Sequence, residues 1–241
     1  MDCFDAINNS RKEHLPCYMG GKAFLQETTW MVLESEDVLH LYDNYCVKYV
    51  ECNFVAKVAE DFNPSRITID NQTLQEDPAT NFAEHARIAI RLERPTNTIY
   101  ASHYDNVKWN LTMLEDVLHS FSSTKKPVGS VLSGDDIVLL HPLFIRKDSI
   151  PSDNQHRADL AEEDMKFLET KSERGEEIAS LRDSHTINTI HVHKDGNMFR
   201  ESSMMDWQSS LTGRYVHVTF HLIYDGVRHA FKANIKKITY W

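Results

Sequence analysis

The residues best suited to chemistry in this 241-residue chain are its thirteen histidines. Six of them, His185, His191, His193, His217, His221 and His229, fall in the last quarter of the sequence. His191 and His193 alternate along one predicted strand, and His217 and His221 share a face of another. Alternating strand positions point the same way, so each pair could present two imidazoles to one ligand. A metal site would need both pairs side by side. Lys232 and Lys236 share the face of His217 and His221, and their charge opposes a cation. His191-x-His193 followed by Glu201 also lacks the usual gap of a cupin metal motif. No metal and no other cofactor is therefore expected. A solvated sheet face, or a surface for an anion or a partner, are the readings left for these histidines.

Other chemistries find less support. His217-Val218-Thr219-Phe220 matches one half of a two-histidine phosphoesterase site. That reaction needs a second half, and His191-Val192-His193-Lys194 lacks the hydroxyl. Asp135 and Asp136 are adjacent carboxylates, but Ser133-Gly134-Asp135-Asp136 reads as a turn. Glycine-rich phosphate cradles and a G-x-S-x-G elbow are absent from the sequence.

Composition narrows the partners. Lys plus Arg number 26 and Asp plus Glu 36, a formal charge of -10. That balance argues against nucleic acid and anionic membranes as general partners, while leaving room for a local basic patch. No apolar run approaches the ~20 residues of a membrane helix. The first ten residues carry no leader pattern, so a cytoplasmic location is expected. Sequons at Asn8, Asn71 and Asn110 then go unused, and the four cysteines read as reduced thiols.

The elements that must position these residues alternate between helix and hairpin. Helices are predicted over 4–18 and from Lys22 to about Leu33. Hairpins follow, Val38–Tyr42 with Tyr45–Val58 around Asp43-Asn44, and His85–Leu92 with Thr98–Tyr104. Arg66–Asp70 is a short strand. Leu111, Leu114, Val117, Leu118 and Phe121 have the spacing of an amphipathic helix, with Asn110 as its cap. Residues 158–182 form an acidic helix with a break at Gly175. Thr186–His193 pairs with Met198–Trp207 in a third hairpin. Arg214–Tyr224 pairs with Val227–Trp241 around Asp225-Gly226 in a fourth, with Phe220 opposite Phe231 and Val218 opposite Ala233. The fold class is α+β. The expected division is a first domain at 1–146, a linker at 147–157, and a helix with four antiparallel strands at 158–241.

The opening Phe4-Asp5-Ala6-Ile7-Asn8-Asn9, with Leu15 and Tyr18, resembles the first helices of NTF2-like proteins of the SnoaL-like and ketosteroid isomerase group. Ile99-Tyr100-Ala101-Ser102-His103-Tyr104-Asp105 looks like the end of such a domain, where the last strand runs into an aspartate. The resemblance covers residues 1–121. It implies a curved antiparallel sheet wrapped on helices as a cone, enclosing an apolar cavity for a small hydrophobic molecule. It also implies Asp105 as a proton-transfer base with His103 beside it, because desolvation would make such a carboxylate more basic. Residues 158–241 would be a second, truncated copy. The rival expectation is a non-catalytic structural or interaction protein, binding a protein partner or forming a homodimer through its sheet faces.

Overall fold

The computed structural model describes residues 18–21, 24–32, 38–44, 48–69, 78–121, 131–149, 155–195, 202–225 and 230–241. Helices and a large, mainly antiparallel sheet make this an α+β protein. The helices are α1 (Phe24–Glu27), α2 (Pro78–His85), α3 (Thr98–Phe121), α4 (Gln155–Lys171), α5 (Gly175–Ser180) and α6 (Met204–Leu211). The strands are β1 (Thr28–Val32), β2 (Val38–Asp43), β3 (Cys52–Val58), β4 (Ile67–Ile69), β5 (Ala86–Glu93), β6 (Leu132–Ser133), β7 (Asp136–Pro142), β8 (Phe144–Arg146), β9 (His185–Ile187), β10 (His191–Lys194), β11 (Tyr215–Asp225) and β12 (Ala230–Tyr240). All but β8 and β9, which pair with each other, join one sheet.

The centre of that sheet is β11. Its Val216, Val218, Phe220, Leu222 and Tyr224 are buried on one face. β12 occupies one edge from Val216 to Asp225. The other edge is shared by β3, opposite Tyr215–Phe220, and β2, opposite Ile223–Asp225. Both run antiparallel to β11, so β2 and β3 lie end to end along it, and the expected hairpin is confined to 41–43 and 48–50, where Tyr42 bridges Tyr49 antiparallel. The chain between them makes an excursion closed by the Val50 N–H on the Leu41 carbonyl and the Asp43 N–H on the Lys48 carbonyl. Asp43-Asn44 is therefore no two-residue turn. β1 pairs with β2, so the predicted helix from Lys22 gives way to strand at Thr28. Thr28, Thr29 and Trp30 are residue types that favour strands.

From β3 the sheet continues through β5 to β7, and it curls so that β7 returns beside β12. His141 of β7 bridges that seam, with Nδ1 3.1 Å from the Ile235 carbonyl oxygen and Nε2 2.7 Å from that of Asn188. Strands from both sides of residues 147–157 thus share one sheet and one apolar core. The predicted boundary falls across this shared sheet, because the central strand β11 comes from the C-terminal part and pairs with β2 and β3.

Three further expectations change. Thr98–Tyr104 is the start of α3, not a strand, and Ala101, Tyr104, Val107, Leu111, Leu114 and Leu118 bury one side of this long helix. Asn110 lies inside α3 and caps nothing; its amide donates to the Met19 carbonyl, 2.5 Å away. Met204–Leu211 is helical, with Met204, Trp207 and Leu211 buried at spacings of three and four. β10 then pairs in parallel with β12 instead of forming a hairpin with 198–207, so the C-terminal region is not a purely antiparallel four-stranded unit. The predicted helix 4–18, apart from Tyr18, and the second partner of the Asp225-Gly226 turn at Val227 lie outside the described residues.

The register of β11 against β12 differs from the sequence reading. Tyr224 faces Phe231, Leu222 faces Ala233 and Phe220 faces Ile235. Phe220 is thus displaced four positions from the expected partner. An even displacement keeps residues 230–235 on their predicted face; beyond Phe220 the displacement is five, with Val218 opposite Ile238, and the later residues of β12 change face.

Candidate functional site

The site begins at an irregularity in β12. Thr219 pairs with Lys237 and Phe220 with Ile235, leaving Lys236 as an extra residue. Consecutive strand residues normally point to opposite faces. The bulge breaks that alternation, as bulges do. Ile235 and Ile238 are both buried, while Lys236 and Lys237 both line a cleft on the opposite face.

The neighbouring strands complete the cleft. Parallel pairing of β10 puts His191 opposite Lys237. Antiparallel pairing puts Thr219 on the other side of Lys237, and Asn53 opposite Thr219. One row therefore crosses four strands as His191, Lys237, Thr219, Asn53. His217 and Glu51 join it around a volume of about 470 Å³. His217 Nε2 lies 3.3 Å from Oδ1 of the buried Asn53, which fixes the amide against the imidazole. Two ammonium groups, two imidazoles and a hydroxyl make a donor-rich rim, with Glu51 as its carboxylate.

The sequence placed His217, His221 and Lys236 on one face, and the structure agrees. It brings His191 and His217 to one face across β12, two strand spacings or ~10 Å apart in the backbone, with Lys237 on the strand between them. His193 is buried. His221 lies beyond the cleft, with Nε2 3.7 Å from a Glu51 carboxylate oxygen. Burial, and then Lys236, lower its pKa from the ordinary imidazole value. Next to it is an aromatic group. Tyr49 stacks on His221 at 6.2 Å between centroids, and has His40 at 4.7 Å and Tyr42 at 4.8 Å.

Asp105 and His103 stand elsewhere, in the first turns of α3. Two residues apart on a helix, they point away from each other. Arg94 grips the Asp105 carboxylate with Nε and Nη2, each at 2.7 Å. Asp105 is half exposed, and the Arg94 hydrogen bonds hold its carboxyl below the usual carboxylate range. His103 Nδ1 lies 3.1 Å from the Tyr18 hydroxyl. Neither residue lines the cleft.

Lys237, Asn53 and Glu51 are the cleft residues that sequence reasoning missed. Lys237 is hidden by the bulge, since simple alternation sends it inward. Asn53 of β3 and Glu51, just before it, come from a segment more than 160 residues away, and no local signal links them to β11. A second cleft of about 590 Å³ lies at the α4–α5 corner, among Glu169, Glu173, Glu176 and Glu177. Its two arginine–carboxylate pairs, Arg174 with Glu177 and Arg182 with Glu169, account for it as a surface ion network. Comparison of the chain with family models, curated proteins and solved structures gives no match.

Proposed function

We propose that this protein binds an anionic small molecule in the cleft crossed by β10, β12, β11 and β3. The observation that carries this reading is the bulge that turns Lys236 and Lys237 to the same face, beside His191, His217 and Thr219. Lysine ammonium groups and ring N–H groups are charge-assisted donors to phosphate or carboxylate oxygens. The cleft is a local basic patch on an acidic protein, which favours a small anion over a long polyanion.

This reading departs from a hydrophobic ligand processed by Asp105 and His103. Arg94 neutralises Asp105 at the surface, and a carboxylate so held is a weaker base than a free one. Tyr18 engages His103.

The test is titration with inorganic phosphate at low ionic strength, followed by the ring resonances of His191 and His217 and by thermal melting. Saturable shifts in both rings and a rise in melting temperature are expected. Lys236→Glu, an exposed substitution, should remove both effects without changing the melting temperature of the free protein by much. Shifts that survive Lys236→Glu, or none at all, overturn the proposal.

A further inference from the structure

We infer that the cleft is one end of a longer site whose ligand is a nucleoside phosphate, with the phosphate at Lys236 and Lys237, the sugar at Glu51 and the base on Tyr49. This rests on the anion reading above and adds the rest of the molecule. The cleft does not stop at Thr219. Glu51 lines it and also meets His221. His221 in turn stacks with Tyr49. A continuous patch of side chains thus runs from Lys237 to Tyr49.

The chemistry along that patch changes in order. Cations come first, a carboxylate second, aromatic rings last. Glu51 would be misplaced in a site for bare phosphate, because it repels the anion. An ionised carboxylate is an acceptor with two oxygens, which suits a vicinal diol. Tyr49 keeps 43% of its surface exposed although three rings surround it. A ring held by its neighbours and still open to solvent is what a stacking base requires. His217 and His221 mark the two ends along β11, four residues and ~13 Å apart.

The experiment compares inorganic phosphate, ribose 5-phosphate and adenosine 5′-monophosphate by calorimetric titration of the full chain at one low salt concentration. The mononucleotide should bind about tenfold or more tighter than ribose 5-phosphate, the gain of one base stacked on an aromatic ring. Tyr49→Ala should abolish that difference while leaving ribose 5-phosphate binding unchanged. Tyr49→Phe should keep it, and unchanged circular dichroism of both variants shows that folding is intact. If phosphate and ribose 5-phosphate bind but the mononucleotide binds no tighter, or if Tyr49→Ala leaves its affinity unchanged, the nucleoside assignment fails and the anion reading stands. If no probe binds, both fail.

Discussion

The Nε2 of His141 lies 2.7 Å from the carbonyl oxygen of Asn188, at the seam where β7 meets β12. Its other ring nitrogen faces a second carbonyl, that of Ile235. Carbonyl oxygens only accept, so a neutral ring with one N–H serves one of the two, and an imidazolium would serve both. Burial wins against that gain, helped by Arg87 and Lys236, and brings the pKa from 6.5 down to about 4. The unfolded chain therefore binds the extra proton between these values, and His141 makes stability fall as pH drops from 6.5 towards 4. Urea titrations at pH 7 and pH 4.5 should show a larger loss for the parent than for His141→Ala. The variant should be about 2 kcal/mol less stable at pH 7, where the carbonyls lose their shared partner.

Asp164 works in the opposite direction. This buried carboxylate of α4 accepts the Met204 N–H at 2.7 Å and so caps α6 from forty residues away. Burial pushes its pKa from 3.8 up to about 7, with the Met204 bond opposing. The native state thus holds an extra proton between 3.8 and 7, and this group makes stability fall as pH rises through that window. Asp164→Asn keeps an acceptor for Met204 without the charge, so it should gain on the parent at pH 8 and not at pH 4. Asp164→Ala should lose about 1 kcal/mol as a lost cap. Because the windows of His141 and Asp164 overlap, the variant-minus-parent difference at each pH is the quantity to measure.

Tyr104 ties α3 to the sheet. Its hydroxyl donates to the Leu92 carbonyl at 2.6 Å and accepts the Ile137 N–H at 3.0 Å. Tyr104→Phe removes both at a fully buried position. A loss of about 1–3 kcal/mol is expected in chemical denaturation, with faster exchange of the Ile137 amide hydrogen.

Gly175 is required where α4 hands over to α5. A Cβ at this position would lie 2.1 Å from the Glu169 carbonyl oxygen. Backbone cannot give way as a flexible side chain can, so Gly175→Ala should cost about 1–3 kcal/mol in melting experiments. A neutral result would mean that the corner is looser than its geometry.

The in–out pattern of β11 was legible because period-two alternation survives any even slip. The register past Tyr224 was not legible, since local turn signals place Val227 opposite Tyr224 where the strand instead presents Phe231. The break at Gly175 and the Gly134-Asp135 turn between β6 and β7 follow the local signals read from sequence. α3 was read only from Leu111 onward, because Thr98, Ile99 and Tyr100 favour strands and masked the helical spacing of Ala101, Tyr104 and Val107. One part of the cleft, His217 with Lys236, could be read from one hairpin. Asn53 and Glu51 reach it only through long-range pairing, which composition and periodicity do not encode.

Asn110 has one more consequence for the sequon it begins. Its side-chain nitrogen is buried and donates to Met19. A glycan on that nitrogen is incompatible with this packing, so a molecule glycosylated at Asn110 would lack the bond to Met19.

The extra residue in β12 also sets the phase of the chain's last strand. Before it, inward positions carry odd numbers, Phe231, Ala233 and Ile235; after it they carry even ones, Ile238 and Tyr240. Lys236 is therefore a parity switch. Removing this one residue would leave Ile235 opposite Phe220, Lys237 opposite Thr219 and Ile238 opposite Val218, so regular alternation would return and the cleft would lose one of its two ammonium groups. At this position a single residue can be lost without exchanging the binding face and the hydrophobic face.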